Sequence, residues 1–253
     1  MDQIGRHIQS AATLIFLIGG ATFALISGVE PEHVLDGARQ SGPLAPNGEH
    51  IDLDIAANLP KLYLSPANLV MWALLLAVWG MLLLDTMAQW LNPTPRKQSW
   101  AWPVLAMALI FAGVWPWLTA DRPLFLAAGS GMMAWAALIA VRRAQRHNHD
   151  RNRPGITFFA GWAAAVFSAS VAGLLAAVFH MPLYMVAALA ILPGAAIGAA
   201  AQVWIGPSIA YSAALIWGFC GIAITTMGSD PLTALSAVLG ITAMSVVLVR
   251  AAS

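Results

Sequence analysis

Eight long apolar stretches separated by short polar gaps run the length of this chain, and their spacing predicts transmembrane helices. They fall at about 11–29, 67–89, 101–119, 123–142, 156–180, 183–204, 208–227 and 232–249. A helix rises about 1.5 Å per residue and the hydrocarbon core is roughly 30 Å thick, so about 20 apolar residues cross it. Several gaps are tight and close on proline: Asp121-Arg122-Pro123, Met181-Pro182, Ile205-Gly206-Pro207 and Gly228-Ser229-Asp230-Pro231. Proline suits a first helical turn, where its missing N–H would be unsatisfied anyway. Such short turns make consecutive helices antiparallel neighbours, so spans three to eight are expected to form an up-down bundle. The expected fold is all-α: one integral membrane domain over residues 1–253.

Charge alternates between gaps. Arg6, Arg96, Lys97, Arg142, Arg143, Arg146, Arg151, Arg153 and Arg250 occupy one set, and only Arg39, Lys61 and Arg122 the other. The acids Glu30, Glu32, Asp36, Glu49, Asp52, Asp54, Asp121 and Asp230 lie in the second set. The positive-inside rule makes the first set cytoplasmic, and an even number of spans puts both termini there. The expected location is a bacterial inner (plasma) membrane, crossed many times. The first apolar stretch follows Arg6 and is 19 residues long. Signal-peptide cores run to roughly 7–15 residues, so this stretch is expected to be an uncleaved anchor.

Composition agrees. Hydrophobic residues make up 60% of the chain, charged residues only 9%, and mean hydropathy is +0.75. Ordinary soluble domains carry about 25% charged residues. The basic residues sit in topogenic loops, not on a continuous basic face, so no nucleic-acid partner is expected. Cys220, the single cysteine, lies in an apolar span and reads as a small hydrophobe. The one long connection, the outer loop 30–66, is acidic and rich in proline and glycine. Within it, Asp52 to Leu64 alternates charged and apolar residues and suggests a helix lying on the membrane surface.

Catalytic motifs are missing: there is no HExxH, Walker loop, GxSxG or membrane-compatible Ser/His/Asp set, so no enzyme activity is expected. Two ionisable residues stand inside spans. Asp85 reads as an interfacial carboxylate that Arg96 or Lys97 neutralises. His180 reads as a hydrogen-bonded interfacial side chain, with axial ligation of a porphyrin metal as the alternative. No second histidine faces it at helical spacing, and His147 and His149 with Asp150 form too incomplete a set, so no metal site is expected. Gly194 and Gly198 make a GxxxG pattern suited to packing within the chain or to a homodimer. Pro193 just before it is expected to kink its helix.

The chain carries 11 tryptophans, far more than its other features explain. Trp90, Trp100, Trp102, Trp117 and Trp204 fall where indoles sit at the headgroup level. Trp79, Trp135 and Trp217 are nearer mid-span, with Trp72 and Trp162 between these cases. A mid-span indole either packs within the bundle or lines an apolar pocket. Trp72 and Trp79 are seven apart and share a helix face with about 20° of drift. They make a flat wall, or a wedge against glycine-rich neighbours.

This punctuation resembles the tryptophan-rich sensory protein family (TspO/MBR, the translocator protein family) in a divergent long bacterial form. Ser65-Pro66-Ala67-Asn68 through Trp72 to Trp79 is similar to that family's proline-led first core helix. Phe159-Ala160-Gly161-Trp162-Ala163 and Ile216-Trp217-Gly218-Phe219 are similar to later Gly-Trp and Trp-Gly segments. The resemblance covers roughly residues 60–227. The chain departs from the family in lacking Asn-x-x-Trp before Trp115 and Trp117, in its single Pro66, and in offering eight spans where the family has five. The resemblance implies a sensor or receptor for a planar hydrophobic ligand such as a porphyrin or other tetrapyrrole. It places Trp72, Trp79, Trp115, Trp162 and Trp217 in the pocket wall beneath the 30–66 loop. Beyond the lipid bilayer, a homodimer or companion membrane subunits are the partners considered. The competing roles are an accessory subunit of a larger complex, or a transporter of a small hydrophobic solute with its break at Pro193-Gly194. Transporters of that kind carry inverted repeats, which this sequence does not display.

Overall fold

The computed structural model describes residues 3–27, 60, 63–66, 68–91, 101–119, 122–146, 153–181, 183–226 and 231–252. Among the described residues there are eight α-helices and no strand: α1 (Gln3–Ser27), α2 (Leu69–Leu91), α3 (Trp102–Thr119), α4 (Pro123–Arg146), α5 (Pro154–Phe179), α6 (Leu183–Ile205), α7 (Ile209–Thr226) and α8 (Pro231–Ala252). α1, α2, α4, α5 and α6 are long and apolar enough to cross a membrane, and the apolar stretches of the other three are shorter. The molecule is a helical membrane bundle. The 28–59 part of the long loop, with most of the surface helix expected over 52–64, lies outside the described residues. So do Arg96, Lys97, His147 and His149.

Each apolar stretch forms one helix, and α1 is the one whose bounds differ most. It starts at Gln3, not near residue 11, and one side of its polar first turns faces protein while Gln3, Ile4, His7 and Ile8 are exposed. Gln9 and Thr13 are buried. The Thr13 hydroxyl bonds the Gln9 carbonyl at 3.0 Å and lies 3.3 Å from the Thr86 hydroxyl of α2. Polar side chains with partners across a helix contact extend the helix where a hydropathy reading stops.

Cross-helix contacts fix the directions. α1 lies parallel to α3, with Gly19 against Gly113 and Phe23 against Trp117. α5 lies parallel to α7, with Gly161 against Tyr211 and Ala165 against Gly218. α6 and α8 are parallel, Ile191 meeting Gly240 and Gly198 meeting Met244. α2 runs the other way beside α1, where Trp79 meets Gly20 and Trp90 meets Ser10. The up-down alternation therefore holds. The neighbours are not simply sequential, however: α1 rests mainly on α3, and α2 on α5. Arg6, Arg142, Arg153 and Arg250 are all at one end of the bundle, and among the described residues Arg122 alone is at the other.

α5 is the central helix, packed by α2, α4, α6 and α7 and buried along most of its length. Its Gly, Ala and Ser residues explain this. Lipid is as apolar as leucine, so helices in a membrane associate where small side chains let backbones approach. Both glycines of the GxxxG pattern are used in this way inside the chain, Gly194 against Ser168 and Phe219, Gly198 against Leu215 and Met244. Pro193 lies within the continuous helix α6. It removes one N–H from the ladder, and the Ser168 hydroxyl donates to the Ala190 carbonyl in that turn.

Candidate functional site: an aromatic junction between α1, α2 and α5

The site is built around Phe16 and Gly20, one helical turn apart on α1. Trp162 of α5 is fully enclosed. Its ring lies 5.7 Å from Phe16, edge to face, and 5.8 Å from Phe159, stacked. Phe16 and Phe159 are themselves 5.4 Å apart. Trp79 of α2 wedges onto Gly20, where an added Cβ would sit 3.3 Å from indole Cζ2. Glycine at position 20 is what admits the indole.

Other sequence-predicted wall residues are distributed around this junction. Trp217 of α7 donates its indole N–H to the Val70 carbonyl of α2 at 3.1 Å, and Trp72 is half-buried near the same end of α2. Trp115 is enclosed at the α3–α4 contact, where a Cβ on Gly129 would lie 3.4 Å from its Cε3. Trp79 and Trp162 thus share one junction, Trp72 and Trp217 belong to the α2–α7 contact, and Trp115 packs elsewhere. Trp135 differs from both readings offered for a mid-span indole: it is exposed on the bundle surface and stacks on Trp204.

The last turn of the long loop closes the end opposite the arginines. Tyr63 inserts beside α7, and a Cβ on Gly218 would lie 3.0 Å from its hydroxyl. Burial, aided by the nearby Cys220, pushes the Tyr63 phenol well above its usual range, so it stays neutral. Ser65 donates to the Ala24 carbonyl at 3.4 Å. Asn68 caps α2 by accepting from the Met71 N–H at 2.8 Å and donates to the Gly221 carbonyl at 3.4 Å. These bonds tie the loop's end to α1, α2 and α7.

Several polar atoms remain unmatched. Among the described residues, the indole N–H groups of Trp79 and Trp162 and the hydroxyls of Tyr63 and Tyr211 are enclosed without a partner. An unsatisfied buried polar group costs about 1–3 kcal/mol, so native interiors keep few of them. Arg6 Nε and Gln9 Oε1 of α1 are enclosed without a hydrogen-bond partner as well, and the Trp79 and Trp162 indoles belong to the α1–α2–α5 junction. Tyr63→Phe, which removes such a hydroxyl and keeps the ring, should change the unfolding free energy by less than about 1 kcal/mol and in the stabilising direction. Denaturation of the purified protein in mixed micelles measures this, and a clear loss of stability would reveal a partner for that hydroxyl.

Toward the arginine-bearing end the interior turns polar. Asp85 of α2 is neutralised by Arg153 at the start of α5, through Nε at 3.0 Å and a terminal nitrogen at 2.6 Å. This partner lies far along the sequence and is brought alongside because α2 packs on α5, while the expected partners Arg96 and Lys97 lie outside the described residues. Gln89 donates to the same carboxylate at 3.0 Å. Gly155 permits this approach, since a Cβ there would overlap the Met81 carbonyl and come within 2.7 Å of the Asp85 Cβ. Nearby, Gln202 donates to the Ser208 carbonyl at 3.0 Å and accepts from Ser212 at 3.2 Å, joining α6 to α7. Sequence reasoning passed over this network; its one signal was Gln202 within an apolar span.

His180 is exposed and ends α5 in the left-handed conformation, φ 53° and ψ 48°, its backbone N–H bonding the Ala176 carbonyl. Its position is explained by the helix terminus. Among the described residues no group of three His, Cys, Asp or Glu side chains is placed to hold a metal.

No protein-family model, curated protein or solved structure matches this chain. The resemblance to the tryptophan-rich sensory proteins therefore rests on the motifs quoted above alone.

Proposed function

We propose that this protein is a membrane-embedded receptor that binds a planar hydrophobic ligand at the α1–α2–α5 aromatic junction and does not transform it. The observation that carries this reading is the pair of enclosed indole N–H groups, Trp79 and Trp162, both beside the Phe16–Gly20 stretch and neither with an acceptor among the described residues. A flat ligand bearing a carbonyl or carboxylate edge supplies what they lack, while Phe16 and Phe159 offer ring faces for its body. The sequence resemblance points to a tetrapyrrole as the ligand class. Tyr63 and the 63–66 turn then roof the site, with Trp72 and Trp217 beneath the roof. In this reading the arginine-bearing end is cytoplasmic and the membrane is a bacterial inner membrane.

Titration of the purified protein with a porphyrin should quench tryptophan emission saturably at micromolar concentration. Trp79→Phe and Trp162→Phe each remove one N–H donor and should weaken binding about tenfold, the scale of a buried hydrogen bond. Emission unchanged by porphyrin, or affinities unaltered in both variants, would refute the junction as the site.

A further inference from the structure

α4 and α6 both rest on α5 and touch each other at few positions. At the arginine-bearing end three side chains bridge the two helices. Trp135 of α4, 59% exposed, stacks on Trp204 of α6 with ring centres 5.4 Å apart and planes 18° from parallel. The Arg142 guanidinium, also of α4, lies 4.2 Å from the centre of the same Trp204 ring. Trp135 and Arg142 are seven residues apart, on one face of α4, so both reach one indole from positions roughly 10 Å apart along the axis.

The stack has a polar end and an apolar end. Trp204 is one residue from the end of α6 and Arg142 is in the penultimate turn of α4, which sets both at headgroup depth. Trp135 lies two turns deeper, beside acyl chains. The Asp85 carboxylate is taken by Arg153, and among the described residues no carboxylate pairs with Arg142. Its planar contact with Trp204 orders the guanidinium while leaving its N–H edge available.

We infer that this stack is a binding site for an anionic phospholipid, with the phosphate at Arg142 and an acyl chain along Trp135. The charge selects the headgroup, because the site offers a cation that no acid pairs with among the described residues. The exposed indoles select a lipid over a free anion, because they supply apolar surface that inorganic phosphate cannot use. One arginine near a membrane surface favours an anionic lipid about fivefold, which sets the expected preference.

Native mass spectrometry of the full-length protein, released from micelles holding equal phosphatidylglycerol and phosphatidylcholine, tests this directly. The first bound lipid should be phosphatidylglycerol by about fivefold. Arg142→Gln should bring the ratio to about one. Arg143→Gln, which removes the same charge one residue further on, should leave it near fivefold. Trp204→Leu keeps every charge but removes the plane that orders Arg142, and should lower the preference to about twofold or less. Equal retention of both lipids by the wild type would overturn the inference. So would a full preference surviving in Arg142→Gln or Trp204→Leu, or an equal loss in Arg143→Gln, which would make the effect one of general surface charge.

Discussion

Arg153→Ala is expected to destabilise the bundle by about 2–4 kcal/mol, because it strands the Asp85 carboxylate between α2 and α5. Breaking a fully buried pair costs about 3–5 kcal/mol, and the 17% exposure of the Arg153 side chain against 6% for Asp85 moves the figure down. Among the described residues Gln89 is what remains to solvate the carboxylate, and one neutral donor does not replace a bidentate guanidinium. The paired change Asp85→Leu with Arg153→Met should recover most of the loss, since removing both charges removes the desolvation cost along with the attraction. Midpoints of SDS-induced unfolding in mixed micelles measure all three proteins. A double variant no more stable than the single would mean that Arg153 matters through packing and not as a counter-ion.

Gly113→Leu should cost about 3 kcal/mol or more, the upper range for overpacking, because the obstruction is backbone. A Cβ at that position would lie 2.8 Å from the Ile15 carbonyl oxygen and 3.0 Å from the Phe16 Cα, and neither can swing away as a side-chain tip would. α1 would have to leave α3, carrying Phe16 off Trp162 and withdrawing the Gly20 surface from Trp79. Porphyrin quenching should therefore fall together with stability. Alanine at the two glycines isolates the added Cβ: Gly113→Ala should still lose stability, whereas nothing lies within 4 Å of a Cβ at Gly80, so Gly80→Ala should be neutral or gain up to about 1 kcal/mol of helix propensity. Equal losses at the two glycines would refute close backbone packing as the reason Gly113 is needed.

Much of the architecture was legible because lipid forces helices and fixes their length. The apolar stretches, the prolines at 123 and 231 opening α4 and α8, and the arginine gaps carry the helix count and the alternation. The lateral arrangement was not legible. In a soluble protein a polar stripe shows which face of a helix looks outward. Here the lipid-facing and protein-facing sides are both apolar, so Trp135 on the surface and Trp162 in the centre read alike. Side-chain size carries more of the signal than polarity does. The backbone contacts run through Gly19, Gly113, Gly155 and Gly161, while many large side chains such as Leu69, Val203 and Val249 face outward. The Asp85 counter-ion was hidden for a related reason: nearness in sequence favoured Arg96 and Lys97, but packing brought α5 alongside. The five tryptophans chosen as a wall were sorted the same way, only Trp79 and Trp162 being drawn to one junction because α1 offers Phe16 and Gly20 there.

The separation of 68 residues between Asp85 and Arg153 has a consequence for how the chain enters its membrane. Translation at roughly 5–20 residues per second delivers the arginine about 3–14 s after the aspartate. During that interval α2 is a nascent segment whose carboxyl lacks the Arg153 guanidinium. A charged carboxyl without that partner is held toward the aqueous margin, which favours a shallow, provisional seating of α2. Arrival of α5 ends the delay, so the ion pair acts as a latch that closes late in biogenesis.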